Sequence, residues 1–308
     1  MYFYAQIDGM QISELEYFIP VSDKDQLYLK RFQPAERKGV VFMVHGSVEN
    51  GRVFYSTSGK GIAPYLAVHG FDVFVIDLRG KGKSFPAVDK NASYGQYEAI
   101  TEDIPACIDF IKNTTGHQEL HLMAHSWGGV LCLSWFARYH SRARIQSMVF
   151  FGTKRKIYIK SWEKRWKVDL FWNVVGTTVS EIKGYLPAKS LRFGSDNEPK
   201  QFYKETNQWV YSNDWIDQRD GLNYPQALKN LNVPPILSLT GTLDTVLGHP
   251  YDVQFLLQEA NAHDHRYVEV GKKYGFKHDY GHIDILTHPD APQDHFPLVL
   301  EWLNAHNQ

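Results

Sequence analysis

Near-continuous apolar runs recur along the chain at residues 39–44, 71–76, 120–123, 147–151, 235–239 and 266–270, and helix-like segments separate most of them. A strand that is apolar on both faces must be covered on both, and strands that alternate with helices build a mostly parallel sheet. Two earlier segments, 14–19 and 26–32, alternate apolar with polar positions and flank the turn-like Ser22-Asp23-Lys24-Asp25. They predict an antiparallel hairpin at the sheet edge, which brings the expected sheet to eight strands in an α/β fold. The rhythm lapses from residue 153 to residue 228 and resumes at Asn232-Val233-Pro234-Pro235. The lapse predicts a cap, 153–228, inserted over a core made of residues 1–152 and 229–308. That insertion is rich in aromatics, among them Trp162, Trp166, Trp172, Trp209 and Trp215, and about half of them are expected to form the cap's own core.

Composition narrows the class without naming a chemistry. With 308 residues, 43% hydrophobic and 22% charged, the chain suits one sizeable core plus an insertion. A net charge of -1 and an isoelectric point near 6.9 supply no overall attraction to nucleic acid or membrane, so no nucleic-acid partner is expected. The first residues lack a basic region followed by a long apolar stretch, and no later apolar run reaches the length of a bilayer span. Cys107 and Cys132 fall on predicted helices as free buried thiols, and a cytoplasmic setting is expected. Gly59-Lys60-Gly61 lacks the spacing of a phosphate-binding loop, and neither an organic cofactor nor a metal is expected.

The most informative stretch is Leu122-Met123-Ala124-His125-Ser126-Trp127-Gly128-Gly129, an apolar strand-like run that breaks at a serine and continues as a helix. A strand that turns sharply into a helix holds the residue at its tip in a strained conformation, and small residues must stand two places before and two after. Ala124 and Gly128 meet that need. A serine hydroxyl is a weak nucleophile at neutral pH, so Ser126 requires a general base within hydrogen-bond reach and an acid to orient that base.

Four stretches together resemble the α/β-hydrolase family: Val44-His45-Gly46-Ser47, the loop Asp77-Leu78-Arg79-Gly80-Lys81-Gly82-Lys83-Ser84, the turn at Ser126, and Tyr280-Gly281-His282-Ile283-Asp284. The likeness covers nearly all of the chain except the cap, and is nearest to esterases and lipases of the monoacylglycerol-lipase and acid-lipase type. It departs from the family at Ala124, where glycine is usual. The resemblance implies that the acid follows a sheet strand and the histidine comes last. Asp244, in Leu239-Thr240-Gly241-Thr242-Leu243-Asp244, is the expected acid, whereas Gly152-Thr153-Lys154 after the preceding strand offers no carboxylate. Of His278, His282, His288 and His295, only His282 sits in a Gly-His-x-Asp loop and is the expected base. The backbone N–H groups of Ser47 and Trp127 are the expected oxyanion hole, with the Ser47 hydroxyl as a further donor. Asp77-Leu78-Arg79-Gly80 is expected to fix a loop. Metal binding by His278 with His282, or by His263 and His265 around Asp264, is a rival that lacks a third convergent ligand in the sequence.

The resemblance implies a serine hydrolase that cleaves a carboxylic ester through an acyl-enzyme, with a small-molecule ester or lipid as substrate, and the aromatic-rich cap adds Trp162, Trp166 and Trp172 as expected substrate-binding residues for an acyl or aromatic ester. Thioester or small-peptide and amide hydrolysis uses the same triad, and a binding protein on the same scaffold is a third reading. Residues 154–167 carry seven basic residues against Glu163, interleaved with Ile157, Tyr158, Ile159, Trp162 and Trp166. This stretch is either a solvated face or a contact for anionic lipid headgroups, as in peripheral membrane binding, or for an anionic part of a substrate.

Overall fold

The computed structural model describes residues 3–7 and 10–307, with side chains from Ile12 onward except those at 166, 167 and 171. In chain order the strands are β1 (Phe3–Ile7), β2 (Met10–Pro20), β3 (Gln26–Pro34), β4 (Gly39–Val44), β5 (Phe71–Asp77), β6 (Glu119–His125), β7 (Arg144–Phe151), β8 (Tyr185–Leu186), β9 (Glu198–Pro199), β10 (Ile236–Gly241) and β11 (His265–Val270). All but the small β8–β9 pair lie in one sheet, ordered β1-β2-β3-β5-β4-β6-β7-β10-β11. From β5 through β4, β6, β7 and β10 to β11 the neighbours run parallel, while β1, β2, β3 and β5 pair antiparallel. Eight strands are those the apolar pattern predicts, including the edge hairpin. The ninth, β1, pairs in register with the start of β2. Five residues are too few for a period-2 pattern to stand out.

Alternation along the central strands divides the core in two. Val40, Phe42 and Val44 of β4 face one side with Phe74 and Ile76 of β5, and Val41 and Met43 face the other with Val73 and Val75. Helices Ile104–Thr115 and Trp127–Tyr139 cover the first face, and helices Ile62–Val68 and Phe296–Ala305 contribute to covering the second. Each fully buried side chain of this kind contributes roughly 1.5–3 kcal/mol. The sheet is therefore the rigid part, and side chains at the carboxyl ends of its strands inherit that rigidity, which is where open α/β sheets bind ligands.

Between β7 and β10 the chain leaves the sheet. Helical pieces Trp162–Lys164, Arg165–Gly176 and Thr177–Lys183 continue one another, the middle one π-helical, and helices Lys200–Tyr211 and Tyr224–Lys229 follow. Trp209, Trp215 and Tyr224 pack ring against ring and merge with the core above helix Trp127–Tyr139. Leu186, Ala188 and Tyr203 form a separate small core against which Trp172 and Phe193 pack.

The cationic stretch is not one face. Lys154, Arg155 and Lys156 are buried. Arg155 pairs with Glu259 and donates to the carbonyls of Trp209 and Ser212, Lys156 donates to Asn213 Oδ1 at 2.7 Å, and Lys164 pairs with Asp169 at 3.0 Å. Lys160 and Arg165 are exposed, and the Lys167 side chain lies outside the described residues. Three of the seven cations are thus withdrawn from any flat surface: Arg155 and Lys156 turn inward to polar groups brought by distant segments, and Lys154 is buried beside them. No helix among the described residues is long and apolar enough to cross a membrane.

Candidate active site

The chain passes from β6 into helix Trp127–Tyr139 at Ser126, whose backbone has φ 51° and ψ -124°. This left-handed φ is costly for a residue with a side chain, and it persists because the surroundings enforce it. The Ser126 N–H donates to the Phe151 carbonyl at 2.8 Å, and Thr153 Oγ1 donates to the Ser126 carbonyl at 2.9 Å. A methyl group on Gly128 would lie 2.3 Å from the Val44 carbonyl oxygen, so only glycine lets the helix approach β4 this closely. At the other small position Ala124 is buried without exposure, and its methyl group is accommodated between β4 and β7.

The structure brings the three residues expected as nucleophile, base and acid together. His282 Nε2 lies 2.9 Å from Ser126 Oγ, and His282 Nδ1 lies 2.5 Å from Asp244 Oδ2. An ionised carboxylate only accepts, so Nδ1 carries the proton and Nε2 is left to accept from the serine hydroxyl. Burial pulls the His282 pKa below its usual 6.5 although Asp244 opposes this, so the ring is a neutral base at pH 7. For Asp244, burial works toward a higher value, but His282 outweighs it and holds the carboxyl below its usual range. Both environments favour the charge states that general-base chemistry needs.

The amides of Ser47 and Trp127 have no acceptor among the described residues, and both residues line a cavity of about 1000 Å³ that also meets Ser126 and His282. The Ser47 hydroxyl is not a further donor to that space: it donates to Glu198 Oε2 at 2.8 Å. Of the three tryptophans expected at the substrate, Trp172 lines the cavity and donates to Asn207 Oδ1 at 2.6 Å. Trp162 is 70% exposed and borders a separate, smaller pocket with Lys160, Lys164 and Arg165. The Trp166 side chain lies outside the described residues. Asp77 accepts from the N–H groups of Gly51 and Lys83, and Arg79 pairs with Asp103, Glu102 and Asp25, which fixes the loop that follows β5. Cys107 and Cys132 are free and buried, and burial pushes both thiols up.

One part of the site has no motif of its own. His125, fully buried beside Ser126, faces Glu49 Oε2 with Nδ1 at 2.8 Å and the His282 carbonyl with Nε2 at 2.8 Å. Both partners accept, so both ring nitrogens donate and the ring is an imidazolium. Burial works against its charge, but Glu49 overcomes this and raises the His125 pKa; Glu49, also desolvated, is held down to about 2 by His125. The visible signal was a histidine next to the serine and a glutamate three residues after Gly46, but nothing in the sequence says that they meet across 76 residues. Among the described residues, one group brings three metal-ligating side chains together: His278, His288 and Asp290. His278 Nε2 is already bonded to Asp290 Oδ2 at 2.7 Å, and His288 Nδ1 accepts the Asp290 N–H at 3.1 Å.

The sheet order, its parallel crossovers and the sharp strand-to-helix turn at Ser126 are those of the α/β-hydrolase fold. Residues 39–176 match the family model described as the alpha/beta hydrolase fold. Among proteins of similar sequence, a tear acid lipase-like protein of Mesocricetus auratus is 32% identical over 107 residues, 32% of this chain and 27% of that protein. The lysosomal acid lipase/cholesteryl ester hydrolase of Homo sapiens is 27% identical over 149 residues, 44% of this chain and 37% of that protein. The chain thus matches well under half the length of these relatives. Among solved structures, a soluble variant of monoglyceride lipase from Saccharomyces cerevisiae superposes with a TM-score of 0.64 at 15% identity, covering 99% of this chain and 95% of that one. A thermophilic esterase from Thermogutta terrifontis superposes with a TM-score of 0.59 at 16% identity, covering 96% and 100%. Similarity at this level extends the shared fold over the whole chain and leaves the chemistry to the site.

Proposed function

We propose that this protein is a serine hydrolase that cleaves a carboxylic ester through an acyl-enzyme at Ser126. The observation that carries the reading is the unbroken hydrogen-bonded line Ser126–His282–Asp244 at the wall of a large cavity. His282 Nε2 takes the hydroxyl proton as Oγ bonds to the substrate carbonyl carbon, and Asp244 stabilises the imidazolium that forms. Negative charge develops on the carbonyl oxygen, where the amides of Ser47 and Trp127 are free to receive it. As the carbon–oxygen bond to the alcohol breaks, His282 returns the proton to the departing oxygen, and water then repeats the sequence on the acyl-enzyme. Residues 153–228 act as a cap whose Trp172, Val168 and Val210 offer apolar walls, which suits an acyl chain or an aromatic ester. The lipases and esterases among the similar proteins favour an ester or lipid over a thioester or an amide.

Hydrolysis of a p-nitrophenyl ester series of increasing acyl length tests the reading, with Ser126→Ala alongside. Loss of the nucleophile should reduce kcat by at least roughly a thousandfold. Because His282 must be neutral and burial lowers its pKa, kcat/KM should fall only on the acid side of pH 6.5 and stay level above it. Turnover that survives in Ser126→Ala would remove the serine mechanism.

A further inference from the structure

One buried cation in the cavity has no counterpart among the described residues. Lys154 is only 6% exposed and lines the same cavity as Ser126 and His282. Its two chain neighbours are locked: Thr153 donates to the Ser126 carbonyl, and Arg155 is held by Glu259 and by backbone carbonyls. Lys156 has its own partner in Asn213. Lys154 alone of these three basic residues makes no hydrogen bond and has no carboxylate within ion-pair distance among the described residues. The carboxylates whose field it feels are Asp244 and Asp252. Asp244 Oδ2 is taken by His282, and Asp252 Oδ1 accepts the Tyr158 N–H while its Oδ2 has no hydrogen-bond partner. Burial lowers the Lys154 pKa, and those two aspartates only partly restore it.

A buried ammonium without a partner destabilises the empty protein, and such a group is kept where a ligand supplies the missing charge. The rest of the cavity agrees in sign. Lys189 and Arg192 also line it, and its lining carboxylate, Glu49, is committed to His125. The walls between are apolar, with Ile157, Val168 and Trp172. An apolar cavity that carries cations and no uncommitted anion fits an ester that is itself anionic.

We propose that Lys154 binds an anionic group, a carboxylate or a phosphate, on the substrate whose ester carbonyl meets Ser126. This rests on the ester-hydrolase reading above, and it narrows the substrate class to amphiphilic esters with an apolar body and one oxyanion. A charge-assisted hydrogen bond in a desolvated site is worth roughly tenfold to a hundredfold in kcat/KM.

The test compares three p-nitrophenyl esters of matched length: a neutral alkanoate, one ending in a carboxylate, and one ending in a phosphate. Wild type should prefer at least one anionic ester over the neutral one by roughly tenfold or more, the larger preference showing which oxyanion the site takes. Lys154→Met should abolish that ratio and Lys154→Arg should keep part of it, while Lys160→Met, which removes an exposed cation nearby, should leave it unchanged. Equal ratios in wild type and Lys154→Met overturn the proposal. Calorimetric binding of monomethyl adipate and of dimethyl adipate to Ser126→Ala separates this from failure of the ester-hydrolase reading. Tighter binding of the monoanion, lost in Ser126→Ala/Lys154→Met, supports the anion site even if wild type hydrolyses no ester. Turnover in wild type with no difference between the two adipates overturns the site and leaves the hydrolase reading in place. Should Lys154→Met fold poorly, Lys154→Gln serves in both assays.

Discussion

At the scale of single residues, Glu49 joins three parts of the candidate site. Its Oε2 accepts the Gly46 N–H at 3.0 Å, beside the Ser47 amide, and the His125 Nδ1–H at 2.8 Å, beside Ser126. His125 in turn donates to the carbonyl of His282. The pair is buried, and removing one member of such a pair costs about 3–5 kcal/mol because the other charge is left without a partner. The pH dependence follows from the two shifts. Glu49 falls from its usual 4.5 to about 2, so its contribution is complete above pH 4.5 and is lost as pH falls through 2. His125 is raised above 6.5, so its contribution is complete below pH 6.5 and is lost as pH rises through the higher folded value. Both are complete only between pH 4.5 and 6.5. Denaturant unfolding of Glu49→Gln should therefore show its largest deficit against wild type in that window and a smaller one in alkali. A deficit that is the same at every pH would mean that packing, not the ion pair, is what the substitution removes.

At the scale of elements, the turn that ends β7 sets how closely the His282 ring can sit. Gly152 has φ 57°, and a methyl group there would lie 2.9 Å from His282 Nδ1 and 3.3 Å from Asp244 Oδ2. Gly152→Ala should strain the turn and push the ring off the serine, and displacement of a catalytic group by about an ångström can cost on the order of a hundredfold in rate. Steady-state kinetics should show this in kcat, with far-ultraviolet circular dichroism unchanged; full activity would mean that the turn relaxes without moving the ring. Strand-scale features of this kind were legible in the sequence, because six strands announce themselves as apolar runs and two as alternating segments, Ser126 and Asp244 stand just past such strands, and His282 sits in a Gly-His-x-Asp loop. What the sequence hid depends on contacts between distant segments. Nothing local distinguishes the buried Lys154, Arg155 and Lys156 from exposed Lys160, since their burial is set by Glu259, Asn213 and the cavity. Trp162 and Trp172 look alike as aromatic positions, and only the helical path between them leaves one exposed and the other lining the cavity.

At the scale of the whole molecule, the segment between β7 and β10 is fastened over the site by its own carboxylates. Asp196 accepts from Asn50 and from the Gly82 N–H, Glu205 accepts the Gln96 N–H, and Glu198 accepts from both the Ser47 hydroxyl and the Val48 N–H. Glu198 also pairs with buried Lys81 at 2.6 Å. The loop that carries the Ser47 amide is thus positioned by a residue 150 places later in the chain, and losing that residue should be felt in both stability and rate. Glu198→Ala leaves Lys81 buried and unpaired, a loss of about 3–5 kcal/mol. It also frees the Ser47 loop, and the weakened amide should lower kcat by up to about a hundredfold, somewhat less than outright removal of an oxyanion donor. Adding Lys81→Met separates the two effects, since the double variant holds no unpaired charge and should recover much of the stability measured by denaturant unfolding. The rate should not recover with it, because the Ser47 hydroxyl and the Val48 amide still lack their acceptor. If kcat returns together with stability, Glu198 acts only by neutralising Lys81, and the segment above the site has no hand in shaping the Ser47 loop.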